Sequence, residues 1–334
     1  MISEQRERMA PVNLPPGYFA RPATMDDIPG VTVLLNDAEI ADWGAPDYTE
    51  EELRMDWEDY DGDPGKAITL VVAPDGSFCG YIAFTDNGDG AFEADGYSHP
   101  GHVGKGIGTW LIQESERKAA EILSGMPSTQ HSTIRSFTAG SNPRAVDLLA
   151  HEGYEAIRHF WRMRIDFNGA PPTPPVWPEG LRVADARERV DEFAVYQAAE
   201  EAFLDHFQFT PQRLGFEEWV RQRKRHGFDP SLWTVVWDGD QIAAVGLARM
   251  TTEGTGWVSV LGVRRPWRGR GLGRAILQHL FGRFYERGVE SVALGVDASS
   301  PTGATRLYET AGMSVIRNFV LFEKVLREGT IKQG

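Results

Sequence analysis

Cysteine is almost missing from this chain, and so are long apolar runs. Of 334 residues only Cys79 is a cysteine, so no intrachain disulfide can form and a reducing, cytoplasmic setting is the expectation. No segment approaches the roughly 18 consecutive apolar residues that a membrane-spanning helix requires. Met1 to Pro16 has no basic start followed by an apolar stretch, so neither export nor a membrane partner is expected. Positive charge is also scarce: 34 Lys+Arg against 48 Asp+Glu leave a formal charge of -14. Such a balance disfavours nucleic acid and suits a neutral or cationic small molecule. Metal-ligand spacings are missing as well. There is no cysteine pair and no His-Glu-x-x-His, and His99 with His102 has no third ligand in sequence reach, so no metal is expected.

What is present reads as one design written twice. The length fits two domains of about 150 residues, and 41% hydrophobic residues suffice for two cores. Pro171, Pro172, Pro174, Pro175 and Pro178 lie close together in the segment 169–178, which can form neither a helix nor a central strand. The expected division is therefore an N-terminal domain over 1–168, a linker over 169–178 and a C-terminal domain over 179–334. On the N-terminal side, Thr24 with Asp27 and Thr49 with Glu52 have the spacing of helix caps, and Pro74-Asp75-Gly76 separates two strand-like runs. Phe92 to Tyr97 then leads to a glycine loop and a helix. The C-terminal side repeats the order: a strand over Leu181 to Val183, helices over Glu188 to Phe203 and Gln212 to Arg225, a hairpin across Asp238-Gly239-Asp240, and a strand over Trp257 to Val263 before its own glycine loop.

That second loop, Arg268-Gly269-Arg270-Gly271-Leu272-Gly273, opens an amphipathic stretch containing Ile276, Leu277, Leu280, Phe281 and Phe284. A glycine turn at a helix start leaves backbone N–H groups free at the positive end of the helix dipole, which makes an anion receptor. A weaker copy, Val103 to Gly108, stands 165 residues earlier. Neither is a Walker loop, since Gly106 and Gly273 are followed by Ile107 and Arg274 rather than by Lys and a hydroxyl. Neither has the third glycine of the dinucleotide fingerprint, because Thr109 and Arg274 occupy those places.

The pattern Arg268-x-x-Gly271-x-Gly273 resembles the pyrophosphate loop of the GNAT acetyltransferase superfamily. The downstream run Thr302 to Met313, with Ala304, Leu307-Tyr308 and Gly312, resembles that superfamily's last helix. The tandem order, with Phe228-Asp229-Pro230 before the hairpin, is similar to mycothiol synthase and related two-domain acetyltransferases. The resemblance implies an α/β (α+β) chain of two tandem domains, each a mixed, mostly antiparallel sheet flanked by helices. It implies acetyl-CoA as co-substrate and transfer to an amine, here a small-molecule primary amine by direct attack. A protein or peptide amine and a non-catalytic acyl-CoA sensor are the alternatives, and a monomer and a homodimer are both compatible. In that frame the donor would meet Leu261, Val263, Arg268, Gly269, Arg270, Gly271, Gly273, Arg274 and Ser300, with Arg264 and Arg265 adding charge. Tyr308 would protonate the leaving thiolate, and Glu201 or His206, with Asp205 between them in the same region and Glu253 before the central strand as further candidates, would take the amine proton. Gln208 stands where mycothiol synthases carry a carboxylate, which departs from their acceptor chemistry.

Aligned on the glycine loops, Val103 replaces Arg268; aligned on Gly153 and Gly312, Leu149 replaces Tyr308. Asn142 takes the place of a pantetheine-binding Asn, where the C-terminal copy has Pro301. The expectation is a catalytic C-terminal domain and a degenerate N-terminal one.

Overall fold

The two capping signals near the N-terminus form as read, and they set the first helices. In the computed structural model, which describes residues 12–60, 62–186, 191–207, 209–224 and 227–329, Asp27 accepts from the Thr24 backbone N–H at 2.8 Å and is held by Arg21. Thr49 accepts from the Glu52 N–H at 3.1 Å, satisfying a donor of the next helix that has no intrahelical partner. Helices α1 (Ile28–Trp43) and α2 (Glu50–Glu58) follow the strand β1 (Phe19–Pro22). After them come β2 (Ile68–Val72), β3 (Phe78–Asp86), β4 (Ala91–Ser98), α3 (Ile107–Ser124), β5 (Ser132–Ala139), α4 (Pro143–His151) and β6 (Glu155–Asp166). The turn at Pro74 to Gly76 joins β2 and β3 as antiparallel neighbours, with Gly76 at a φ of 87° that favours glycine.

The second half repeats this sequence of elements. It comprises β7 (Leu181–Asp185), α5 (Glu192–Phe203), α6 (Phe216–Lys224), β8 (Phe228–Asp238), β9 (Gln241–Met250), β10 (Gly256–Val263), α7 (Leu272–Tyr285), β11 (Ser291–Asp297), α8 (Ala304–Thr310) and β12 (Ser314–Arg327). Both helices expected before the β8–β9 hairpin are shorter than the sequence pattern suggests over the described residues; Glu188 and Arg225 lie outside them.

Two compact units result, and their borders differ from a division at the proline-rich segment. One unit takes the described residues through Arg158 together with those from Phe319; the other is His159–Asn318. In the first, Phe319 to Arg327 of β12 pair antiparallel with β5, so the sheet runs β1-β2-β3-β4-β5-β12. In the second, Phe160 to Asp166 of β6 pair antiparallel with β11, giving β6-β11-β10-β9-β8-β7. Each unit thus closes its sheet with the last strand of the other repeat. The backbone hydrogen-bonding groups of a strand end are the same whichever neighbour they meet, so sequence order does not reveal the exchange.

In each unit one parallel pair interrupts an antiparallel sheet. β4 pairs with β5 over Ala91 to Glu93 and Thr133 to Arg135, and β10 with β11 only at Gly256 and Trp257 against Val292 and Ala293. Beyond those residues the strands part, and each gap opens toward the end where a glycine loop begins. The cores hold the gaps in place. α7 buries Ile276, Leu277, Leu280, Phe281 and Phe284 completely or nearly so, each worth about 1.5–3 kcal/mol on leaving water. It lies so close to β9 that a Cβ on Gly246 would come within 2.3 Å of the Ile276 side chain. α3 plays the same part in the other unit, burying Ile107, Leu111, Ala119 and Leu123.

Candidate functional site

In the unit His159–Asn318, the loop after β10 makes one short 3-10 turn at Arg265–Trp267 and then two glycine-dependent bends. Gly269 and Gly271 have φ of 77° and 83°, and no atom lies within 4 Å of where a Cβ would stand on either. Gly271 is the N-cap of α7, so the first-turn N–H groups of Leu272, Gly273 and Arg274 face outward without intrahelical acceptors. This open cradle at a positive helix end is a fit for a phosphate. Gly273 packs beside Leu307 and Val263, at 3.3 and 3.8 Å from a built Cβ, which brings α7, α8 and the end of β10 together.

The arginines of this loop are largely committed to the protein itself. Arg268 donates to the Val263 carbonyl at 3.0 Å, to the Ala202 carbonyl at 3.1 Å and to Asp205 at 2.5 Å. Arg265 also pairs with Asp205, and the two guanidinium groups hold that carboxyl far below the usual carboxylate range. Arg264 pairs with Glu201 at 2.7 Å and donates to the Ile242 carbonyl. Arg268 is therefore a tether between the glycine loop and α5. Arg270, 3.5 Å from Asp238, and Arg274 are the remaining arginines at the cradle.

Tyr308 sits on α8 within the core that contains Met163, Val296 and Met313, and only 7% of it is exposed. No described group hydrogen-bonds its hydroxyl, and burial pushes the phenol up to about 12, so it stays protonated at neutral pH. Leu261 and Val263 pack against the same core from β10. On the other face of β10, Gly262 lies against α5, a built Cβ coming 2.9 Å from Ala202. His206 follows that helix with its ring centroid 4.1 Å from that of Phe203. Burial is the largest influence on it and lowers its basicity, opposed by the charge of Asp297 at the end of β11. Ser300 is hydrogen-bonded to Thr302 at 2.9 Å in the loop before α8. Gln208 lies outside the described residues. The structure thus brings the loop, Leu261, Val263, Tyr308 and His206 to the diverging ends of β10 and β11, and gives Glu201 an arginine partner.

The other unit holds a cleft of ≈ 870 Å³ between the parted ends of β4 and β5. One end is the loop Val103 to Gly108, with Gly104 and Gly106 at φ of 80° and 77° and Gly106 as N-cap of α3. The other reaches the C-terminal part of α1. Asn142, expected at a pantetheine position, caps α4 through the Ala145 N–H and donates to Asp42 at 2.9 Å. Asp95, which sequence reasoning passed over, lines this cleft. Among the described residues no group of three or more His, Cys, Asp or Glu is arranged to hold a metal, and no helix is long and apolar enough to cross a membrane.

A family profile described as "Acetyltransferase (GNAT) family" matches residues 31–154 and 193–313, one stretch in each unit. The chain belongs to this family. It is 30% identical over 296 residues to a mycothiol acetyltransferase of Geodermatophilus obscurus, covering 86% of this chain and 91% of that protein. A mycothiol acetyltransferase of Actinosynnema mirum is 28% identical over 288 residues, 85% and 91% of the two chains. Among solved structures, a GCN5-related N-acetyltransferase from Sphaerobacter thermophilus superposes with a TM-score of 0.83 at 38% identity, covering 95% of this chain and 98% of the other. A tandem GNAT protein from the clavulanic acid biosynthesis pathway superposes at 0.70 with 15% identity, over 94% and 100%, a likeness of fold. This GNAT protein is accordingly an N-acetyltransferase with two GNAT domains, and the glycine cradles at α3 and α7 are its two copies of one device.

Proposed function

We propose that this protein moves an acetyl group from acetyl-CoA to a primary amine on a small molecule, in the unit His159–Asn318, by direct attack within a ternary complex. The observation that carries the proposal is the meeting of three features at one gap: the parting of β10 from β11, the open cradle at the start of α7, and the buried, unpartnered phenol of Tyr308. The N–H groups of Leu272 to Arg274, with Arg270 and Arg274, bind the pyrophosphate. Backbone groups of Leu261 to Val263 align the acyl-bearing arm along β10, and Ser300 borders its far side. Holding donor and acceptor in one gap removes much of the entropic barrier to their reaction. His206, kept neutral by burial, accepts the proton of the attacking ammonium; Glu201, paired with Arg264, orients the loop. Tyr308 hydrogen-bonds the departing sulfur and supplies its proton. The small-molecule acceptor is supported by relatives named for mycothiol acetylation and by the acidic balance of the chain.

The test is thiol release from acetyl-CoA with a panel of small amines and with lysine-containing peptides. Acceptor-dependent release with a small amine is expected, and Tyr308→Phe is expected to lower kcat in this unit about 10- to 100-fold. Binding of CoA without release for any acceptor would identify a sensor instead.

A further inference from the structure

Counting from Gly108 to Gly273, Asp95 on β4 corresponds to Val260 on β10. Val260 is buried among apolar side chains, including Val195 and Ala199 of α5. Asp95 faces the corresponding space in the other unit, and that space is open: it belongs to the ≈ 870 Å³ cleft. Its Oδ1 accepts the Phe137 N–H at 3.3 Å, two residues beyond the last parallel pair, Glu93 with Arg135. A side chain thus takes up the β5 donor just where β4 withdraws, and no described group hydrogen-bonds the second oxygen. Burial, helped by the charge of Glu93, pushes the carboxyl up to about 7, the range in which a carboxylate is a serviceable base at neutral pH.

The surroundings suit an ammonium. Glu39, 5% exposed, and Asp42 line the same cleft from α1, and burial raises Asp42 as well. Trp43 and Phe319, with ring centroids 5.4 Å apart, and Tyr97, bonded to Tyr48 at 2.7 Å, supply aromatic walls for a cation. The same cleft is also lined by the left-handed Gly104 and Gly106 and by the start of the 18-residue α3. Space for an anion and space for a cation are joined through the gap in the sheet.

We propose that the unit through Arg158 is a second acyl-transfer site, in which Asp95 takes the proton of a primary ammonium while an acyl-CoA rests its phosphates on Val103 to Gly108. This inference rests on the acyl-transfer reading above and replaces the expectation of a degenerate N-terminal domain. The ammonium gives one proton to Asp95; its nitrogen then bonds to the thioester carbonyl carbon, and the carbon–sulfur bond breaks with its electron pair on sulfur. The thiolate takes the second nitrogen proton, and Asp95 returns the first to solvent. Leu149 in place of Tyr308 is compatible with this, because a thiol of pKa near 8.5 leaves readily as its anion.

The experiment uses the full chain with acetyl-CoA and four probes: glucosamine, spermidine, tyramine and lysine. Tyr308→Phe is expected to leave turnover with at least one of them beyond the few per cent that the unit His159–Asn318 keeps, and adding Asp95→Asn is expected to lower that residual kcat at least fivefold. The residual rate should rise with pH through a midpoint near 7, and this limb should vanish with Asp95→Asn. Val103→Asp, on a side chain 49% exposed, puts a negative charge on the anion end without touching the core and should raise the residual KM for acetyl-CoA at least tenfold. It keeps the test decisive where Asp95→Asn fails to fold. Loss of all turnover in Tyr308→Phe while wild type stays active overturns this proposal alone, as does residual turnover indifferent to both Asp95→Asn and Val103→Asp. No turnover by wild type with any probe overturns the acyl-transfer reading and this one together.

Discussion

Asp95 also makes a prediction about stability that needs no substrate. Its carboxyl ionises near 7 in the folded chain against an ordinary 3.8, so the fold prefers the protonated form. The sign follows directly. Below about pH 4 the group is protonated whether the chain is folded or not, and it costs nothing. As pH rises the unfolded chain ionises first, and the penalty on the folded state grows until it is complete above about 7. Taken at full value, three pH units correspond to about 4 kcal/mol. The cleft admits solvent to Asp95, and screening reduces this to about 1–2 kcal/mol. Asp95→Asn removes the charge and keeps an oxygen for the Phe137 N–H. It should therefore stabilise the protein at pH 8 by that amount, a rise in Tm of roughly 2–8 °C, and change it little at pH 4. Paired thermal and urea melts at the two pH values measure this. A mutant that melts below wild type at pH 8, or a gain of equal size at pH 4, would refute the reasoning that burial makes ionisation of Asp95 costly to the fold.

Three further outcomes follow from other parts of the molecule. Arg268→Gln removes the charged tether from the glycine loop to Asp205 and the Ala202 carbonyl, so the KM for acetyl-CoA should rise several-fold with kcat nearly kept, read in steady-state kinetics. Gly246→Ala puts a methyl into the side chain of Ile276 and should cost about 1–3 kcal/mol in urea denaturation. Thr49→Ala deletes the N-cap of α2 and should cost about 1 kcal/mol, with thiol release unchanged at saturating acetyl-CoA.

How much of this was legible beforehand differs from residue to residue. The caps at Thr24 and Thr49 and the turns at Pro74 to Gly76 and Asp238 to Asp240 are local chemistry, and they form where their spacing says. The glycine loops also form as read, because positive φ and helix starts depend on neighbours in sequence. Arg268 was legible as a loop residue but not as a tether, since Ala202 at the end of α5 and Asp205 just beyond it are more than 60 residues away. Glu201 and Arg264 met in the same way. Asp95 gave only a faint signal, one acid in a strand just before a glycine loop. Its meaning depends on β4 leaving β5 at that place and on α1 closing the space above it.

The amino-acid sequence by itself determined two repeats, two glycine loops at helix starts and a Tyr308 segment after the stronger one, all of which rest on short-range periodicity and turn chemistry. The tertiary structure alone decided that β6 and β12 change units, that the arginines near Arg268 spend their charge on α5 and the segment that follows it, and that Asp95 faces an open cleft where Val260 faces a filled one. These are long-range matters: which strand completes a sheet, which charge finds a partner, and where two strands part are settled by packing between segments that no local pattern connects.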